Sequence, residues 1–289
     1  MPNNYQNTLL ICGGIYGNWQ ALTALLAEAT RRTIAHDHII ITGDLAAYCA
    51  DGEAVATFCR QQLPATLIVR GNCERALATN ADNCGCGFSA NSTCDLLSAA
   101  WYRYARDNIS AANKQWMATL PVHAEIAFAG RRLAVLHGGC DADNTFIFAS
   151  TPDKEKHIQA LQCNGVIAGH CGIPFSQSVG GALWHNSGAL GMPANDGSSN
   201  VWYSVWHDTA AGIEIEHCPL AYDHPTAAAA MTAAGLPPPY RQTLANGIWP
   251  SDSVLPTAEK KQQGTVLSAR HFLWQKNGTL IEKNNTPRR

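Results

Sequence analysis

The chain has 289 residues, of which 46% are hydrophobic and 15% are charged. This composition supplies enough apolar side chains for a buried core and excludes an intrinsically disordered chain. The formal net charge of -2 and the lack of a long apolar run argue against a nucleic-acid-binding protein and against a membrane protein. The first residues do not resemble a secretory signal, so we expect a cytoplasmic protein.

The beginning of the chain alternates between strand and helix patterns. Strands are predicted over residues 8–12, 38–42 and 65–69, and a helix with apolar residues at helical spacing is predicted from Asn18. Each strand runs into a turn that contains glycine. This alternation predicts an α/β core, in which ligands bind beyond the carboxyl ends of the strands.

The remainder of the chain is predicted to contain a loop, several helices and more strands. Residues 76–95 form a candidate Cys-rich insertion, and the Ala-rich segment 226–244 predicts two short helices. Further strands are predicted at 124–129, 132–136, 165–168, 182–184, 201–206 and 212–217. We expect the last three to form a second, largely antiparallel sheet. We assign residues 1–250 to one domain and 251–289 to a C-terminal extension with a flexible end.

Five strand ends carry glycine next to a potential metal ligand or a residue that replaces one. Glycine allows the backbone to turn sharply, so that the neighbouring side chain can point into a shared cleft. The five segments, in chain order, are Gly14-Ile15-Tyr16-Gly17-Asn18, Gly43-Asp44, Gly71-Asn72, His137-Gly138 and Gly169-His170.

In this order the segments resemble the calcineurin-like metallophosphoesterase superfamily, and within it a small bacterial phosphodiesterase-like branch. The pattern of that superfamily is D-x-H-G-N, G-D, G-N-[HC]-[DE], H-G and G-H-x-H. Residues 185–193 and 233–237 also resemble later motifs of the branch, so the resemblance covers roughly residues 8–248. It implies an α/β fold, a four-layer αββα sandwich of two mixed β-sheets flanked by helices.

The resemblance also implies a dinuclear metal site from which one half is missing. The bridging Asp44 and the second-metal ligands Asn72, His137 and His170 are present. The three positions that hold ligands of the first metal alone are occupied by Gly14, Tyr16 and Gly172. We therefore expect one divalent ion, either zinc, manganese or iron, with a second ion only if cysteines supply ligands.

Other side chains near these loops are candidates for secondary roles. The candidate thiolate ligands or redox groups are Cys49, Cys73, Cys84, Cys86, Cys94, Cys140 and Cys171. The candidate substrate-binding residues are Tyr16, Arg70, Arg75 and His185. The alternatives are that Tyr16 fills the space of a missing ligand, that the arginines form ordinary ion pairs and that His185 is structural.

Three functions are compatible with these residues. The first is a metal-dependent phosphoesterase-like hydrolase for a small phosphorylated substrate, with Asp44, Asn72, His137 and His170 as catalytic metal ligands. The second is a non-catalytic binding or scaffold protein on the same fold, as the lost ligands suggest. The third is a thiolate-containing metal or redox centre with other chemistry. We favour the first because a complete set of ligands for one metal is retained.

Overall fold

The computed structural model describes residues 3–5, 7–88 and 92–283. Its strands are β1 Asn3–Tyr5, β2 Thr8–Cys12, β3 Ile39–Ile41, β4 Leu67–Ile68, β5 His123–Phe128, β6 Arg131–Leu136, β7 Gly165–Ala168, β8 Phe175–Val179, β9 Ala182–Asn186, β10 Val201–Thr209, β11 Gly212–Leu220, β12 Arg270–Gln275 and β13 Leu280–Lys283. Its α-helices are α1 Trp19–Arg31, α2 Gly52–Gln62, α3 Asn72–Ala78, α4 Thr93–Asn108, α5 Ala111–Thr119, α6 Lys154–Leu161, α7 His224–Ala233, α8 Pro238–Asn246 and α9 Thr257–Lys260. None of these described helices is long and apolar enough to cross a membrane.

Within the described residues the strands form two mixed sheets. The first has the order β1-β5-β6-β7-β9-β8, and the second has the order β13-β12-β11-β10-β2-β3-β4. The parallel strands β2, β3 and β4 lie together at one edge of the second sheet, while β6, β7 and β9 run parallel in the first. Their carboxyl ends lead into the glycine-containing turns on which the candidate ligands lie.

The two sheets pack face to face, and helices cover their outer faces. Leu9 and Ile11 of β2 belong to one buried cluster with Leu133 and Val135 of β6, which places this cluster between the sheets. The opposite face of β2 packs against α1 and α2, while the outer face of β6, β7 and β9 packs against α6. This arrangement confirms the predicted αββα sandwich of two mixed sheets flanked by helices.

The division of strands between the sheets differs from the prediction. β9 pairs in parallel with β7 in the first sheet, whereas β10 pairs antiparallel with β2 in the second. The predicted grouping of these three strands in one largely antiparallel sheet is therefore wrong for β9, which joins the first sheet, whereas β10 and β11 pair antiparallel in the second sheet. Residues 270–283, which we placed in the extension, add β12 and β13 to the second sheet. The predicted flexible end, residues 284–289, lies outside the described residues.

A buried polar network connects the two sheets. The Ser176 hydroxyl is hydrogen-bonded to His185 Nδ1 and to His217 Nε2, both at 2.9 Å, and His185 Nε2 is 2.8 Å from the Ser204 hydroxyl. Ser176 and His185 belong to the first sheet, whereas Ser204 and His217 belong to the second. Burial lowers the pKa of His217 to about 3, so this imidazole is neutral at pH 7.

Replacing Ser176 by alanine is expected to lower the free energy of unfolding by about 1–3 kcal/mol, because two buried imidazole nitrogens lose a partner. Urea denaturation measures the change. The matched control is Ser178→Ala in the same strand, whose exposed side chain donates to the Gly278 carbonyl, and we expect a loss of about 0.5 kcal/mol there. Equal losses in the two variants would contradict a stabilising role for the network.

Candidate metal centre

Asp44 lies in a tight turn directly after β3. Its backbone has a φ of 56°, and Gly43 before it has a φ of 91°. A Cβ atom at Gly43 would lie 2.6 Å from the Gly71 backbone nitrogen, so the two turns approach each other more closely than another residue at position 43 would allow. A non-glycine residue in the left-handed region is unfavourable and is commonly found where a side chain must be aimed. The turn presents the Asp44 carboxylate to the neighbouring loops.

Glu74, which was absent from our candidate residues, stabilises this turn through hydrogen bonds to its backbone. Its Oε2 accepts hydrogen bonds from the backbone N–H groups of Asp44 at 2.8 Å and Gly71 at 2.9 Å, and its Oε1 accepts from Leu45 at 2.7 Å. The side chain is fully buried. Burial and the nearby Asp44 raise the pKa of Glu74 to about 7. The D/E position of the G-N-[HC]-[DE] motif was the sequence signal for this positioning residue.

Three of the predicted ligands converge at the strand ends. His137 Nε2 lies 3.1 Å from Asp44 Oδ2 and 3.0 Å from His170 Nδ1. Ligand atoms around one metal ion lie about 2.9–3.4 Å apart when each bond is about 2.0–2.1 Å long. His137 Nδ1–H donates to the Thr42 carbonyl at 2.5 Å, which leaves Nε2 as the nitrogen available for a ligand. The three side chains are therefore oriented as a metal site would need them.

Asn72, the fourth predicted ligand, begins α3 and is also buried. Its amide nitrogen donates to the Cys84 carbonyl at 3.0 Å, so the amide oxygen must face away from that carbonyl. Asn72 Oδ1 is buried without a hydrogen-bond partner. An unsatisfied buried polar atom is costly, and a metal ion would satisfy such an oxygen donor. The residues present thus fit a divalent metal.

Asp44 and His137 form a buried ion pair within the candidate site. Burial alone would raise the pKa of Asp44, but the His137 imidazolium lowers it to about 2. Burial alone would lower the pKa of His137, but the Asp44 carboxylate raises it to about 9. Burial and the charge of His137 lower the pKa of His170 to about 3. At pH 7 one proton on His137 therefore occupies the position that a cation would take.

Metal affinity is expected to rise about tenfold per pH unit between pH 6 and 9, because binding must displace the His137 proton, and to level off above pH 9. Asp44 is ionised and His170 is neutral throughout this range, so neither adds to the slope, whereas Glu74, with a pKa of about 7, adds to it at the lower end of the range. Isothermal titration in buffers of different ionisation enthalpy measures the released proton. The raised pKa of His137 also stabilises the fold when no metal is bound. This stabilisation is complete below pH 6.5 and is lost as the pH rises through 9. An affinity independent of pH would contradict the assignment of His137.

Comparison with known proteins identifies the fold family. The sequence profile of the calcineurin-like phosphoesterase superfamily domain matches residues 18–208, which is more than half of the chain. The chain belongs to the calcineurin-like phosphoesterase superfamily. The match begins just after Gly14 and Tyr16, where the chain departs from the superfamily pattern. This membership confirms the family resemblance of the sequence.

Two solved structures have a similar fold. A metallophosphoesterase from Sphaerobacter thermophilus is 20% identical, with a TM-score of 0.66 over 84% of this chain and 100% of that one. The hypothetical protein PH1004 from Pyrococcus horikoshii OT3 is 13% identical, with a TM-score of 0.70 over 84% of this chain and 99% of that one. No curated protein matches the chain. At these identities the likeness concerns the fold.

The Tyr16 ring occupies the place where the superfamily pattern has its first aspartate. A Cβ atom added at Gly14 would lie 2.2 Å from Tyr16 Cε1, so the ring lies directly over the glycine. The ring packs edge-on against Tyr48, with centroids 4.8 Å apart. At the third altered position, a Cβ atom on Gly172 would lie 3.5 Å from the Trp249 indole. The Tyr16 ring thus takes up the space that a side chain at position 14 would need, whereas a Cβ atom at position 172 would make an ordinary van der Waals contact with the indole.

A largely apolar cavity opens beside Asp44 and His170. The Phe146 ring forms part of its wall, with a centroid 4.2 Å from that of the His170 ring. No lysine or arginine is among the described residues that line the cavity. The aromatic residues of the wall are Tyr16, Tyr48, Phe88, Phe146, Tyr240 and Trp249.

The candidate cysteines do not gather at one point. Cys84 and Cys86 are paired as a disulfide, and the Asn72 amide nitrogen lies 3.4 Å from Cys86 Sγ. Cys86, Cys94 and Cys171 line the cavity, while Cys49 and Cys73 are buried beside it. Burial raises the pKa of Cys171 to about 12 and also raises the pKa of Cys49 and Cys73, so these thiols are protonated at pH 7. Among the described residues, the ligand cluster around Asp44 contains no thiol.

The other candidates lie outside the cavity. Arg75 forms a two-bond ion pair with Asp143, with distances of 2.7 and 3.0 Å, which connects α3 to the loop after His137. Arg70 lies near the same loop, and its Nε is buried without a partner. The candidate role of His185 in substrate binding is corrected, because its hydrogen bonds to Ser176 and Ser204 hold it between the sheets.

Proposed function

We propose that the protein is a metal-dependent phosphoesterase that uses one divalent ion, held by Asp44, Asn72, His137 and His170. The observation that carries this proposal is the convergence of His137, Asp44 and His170 at 3.0–3.1 Å. The buried and unpartnered Asn72 Oδ1 supports it as a fourth ligand. The superfamily uses divalent metals for phosphoester cleavage, and zinc, manganese and iron all suit this set of donors.

The side chains have distinct tasks in this proposal. A bound divalent ion would polarise the phosphoryl group and lower the pKa of a water molecule. Asp44 contributes the negative charge that retains the cation, and Glu74 fixes the Asp44 turn through three backbone N–H groups. Thr42 fixes the ring orientation of His137 through its carbonyl. Because Tyr16 covers the first-metal side, phosphate binding relies on one ion instead of a pair.

The cavity beside His170 defines the substituent that the phosphate ester carries in this proposal. Its aromatic wall and its lack of lysine or arginine among the described residues would leave a second phosphate or another charged group without a partner. Burying an unpaired charge in such surroundings is unfavourable. We therefore propose a small phosphate ester with an apolar, preferably aromatic, substituent.

A cytoplasmic location and the absence of nucleic-acid substrates remain predictions from the sequence.

The decisive experiment measures turnover by protein that has been freed of metal and then loaded with zinc, manganese or iron. We expect cleavage of phenyl phosphate or bis(4-nitrophenyl) phosphate, with slower cleavage of glycerol 3-phosphate, and no activity without metal. Asp44→Asn is the inactive control, because asparagine tolerates the left-handed backbone at this position. Failure to cleave any ester with any of these ions would overturn the proposal.

Trp249 tests the cavity separately from the metal. Its indole Nε1 donates to the Pro193 carbonyl at 2.7 Å, and its ring lies over Gly172. Trp249→Ala is expected to raise KM for aryl esters about tenfold through lost apolar contact, with little change for glycerol 3-phosphate. Trp19→Ala, at a half-buried tryptophan on α1, is the matched control and should leave both KM values unchanged. An equal effect on both substrates would contradict the assigned role of the cavity.

Two other functions are each favoured by one observation. The Tyr16 ring over Gly14 favours a binding or scaffold protein that has lost catalysis. The Cys84–Cys86 disulfide beside Asn72 favours redox chemistry. Turnover that is abolished by Asp44→Asn would argue against the first alternative. Full activity in the Cys84→Ser/Cys86→Ser variant would argue against the second.

A further inference from the structure

A second group of ligand atoms is formed by the loop that follows His137 and by α6, and none of its three residues lines the cavity. Cys140 Sγ is 3.1 Å from His157 Nδ1, and Asp141 Oδ1 is 3.9 Å from the same nitrogen. All three ligand atoms lie within 4.8 Å of one another. Around zinc, a thiolate, an imidazole and a carboxylate would be about 3.3–3.5 Å apart, so the observed distances bracket those of a bound ion.

The imidazole of this group is fixed before any ion binds. His157 lies on α6, is 3% exposed and packs against Trp184 with ring centroids 5.8 Å apart. The Cys140 backbone N–H donates to His157 Nδ1 at 3.3 Å, so this nitrogen is unprotonated, and a bound metal would replace this N–H as the partner of its single lone pair. A buried and oriented imidazole reduces the entropy cost of binding.

Hydrogen bonds within the loop after His137 fix the position of the Asp141 carboxylate. Asp141 Oδ1 accepts from the Ala142 backbone N–H at 3.0 Å and from the Thr145 hydroxyl at 3.3 Å. A Cβ atom at Gly139 would lie 2.6 Å from Asp141 Oδ1 and 3.0 Å from His157 Cε1. Glycine at position 139 therefore permits the carboxylate and the imidazole to meet.

We propose that Cys140, Asp141 and His157 form a second metal site, selective for a thiophilic divalent cation such as zinc. Thiolate and imidazole ligands favour zinc over magnesium and calcium. Cys140 is exposed and the Asp141 side chain is 53% exposed, so the fourth position of the ion faces solvent. The site is independent of the phosphoesterase proposal, because it shares no ligand with the Asp44 centre.

Cobalt titration of the full chain tests this site, because only a thiolate ligand gives a sulfur-to-cobalt charge-transfer band in the near ultraviolet. Under anaerobic conditions without reductant, the wild type is expected to bind two equivalents of cobalt and to show this band. Cys140→Ser should lose the band and one equivalent while it keeps the other. Cys140 is exposed, so this change leaves the fold intact.

Two variants separate this site from other thiols and from the Asp44 centre. Cys163→Ser, at a half-buried thiol just after α6, should keep both the band and both equivalents. His137→Ala should lose one equivalent and keep the band. Absence of the band in the wild type, or its persistence in Cys140→Ser, would overturn the proposal.

Discussion

Replacing His137 by alanine is expected to weaken metal binding by more than about 100-fold and to abolish metal-dependent turnover, since even indirect ligand supports cost 10–100-fold when removed. His137 Nε2 is within 3.1 Å of both Asp44 and His170, so its loss removes the central donor of the cluster. The metal-free variant is also expected to lose about 3–5 kcal/mol of unfolding free energy, because the Asp44 carboxylate stays buried without its counter-charge. Titration calorimetry and urea denaturation measure the two effects.

A double variant separates charge from packing at this position. In Asp44→Asn/His137→Ala neither buried charge remains, so part of the lost stability should return while metal binding stays absent. His36→Ala removes an exposed imidazole outside the site and should change neither quantity. Metal binding of wild-type strength in His137→Ala would exclude the proposed centre.

The convergence of the candidate ligands was predictable because their placement follows from the chain's local pattern. Asp44, His137 and His170 each follow a strand of the α/β core, and the carboxyl ends of such strands open into a shared cleft. Glycine at each turn marked the sharp bends that the structure contains. The family pattern supplied the order of these segments, and the sequence profile match confirms membership of the superfamily.

Features that depend on distant partners were not predictable in the same way. His185 lies in a motif-like segment, yet its partners Ser176 and Ser204 come from two different sheets. Cys140 was associated with the central site by its closeness to His137 in sequence, but it turns outward to His157 on α6. The strands β12 and β13 follow a polar segment that we interpreted as an extension. They join the second sheet because β12 pairs with β11 and β13 pairs with β12.

The departure from the superfamily pattern at positions 14 and 16 leads to a prediction about the stability of variants at Gly14 and Tyr16. Gly14→Asp alone is expected to lower the unfolding free energy by about 1–3 kcal/mol or more, because its Cβ would lie 2.2 Å from the Tyr16 ring. Tyr16→His removes that ring, and histidine is among the residues that tolerate a φ of 55°. In the double variant the cost of Gly14→Asp should therefore largely disappear.

A double-mutant cycle by urea denaturation measures this coupling, which we expect to be at least about 1 kcal/mol. Gly14→Asp combined with Tyr48→His is the matched control, because Tyr48 contacts Tyr16 but is not among the atoms nearest Gly14. That pair should retain the full cost of the aspartate. Additive costs for Gly14→Asp and Tyr16→His would mean that the ring does not block position 14.

Adding Gly172→His to the double variant restores the full superfamily set of ligands and extends the test to metal binding. Histidine at the φ of 68° found there costs about 1–2 kcal/mol, and it must lie beside the Trp249 indole. We expect the triple variant to bind one more equivalent of metal than the wild type, measured by elemental analysis. If the proposed single-ion centre is correct, a second ion would add a further clamp on the phosphoryl group, so turnover of phenyl phosphate should rise. An unchanged stoichiometry would show that the aromatic wall, and not ligand identity alone, excludes the first metal.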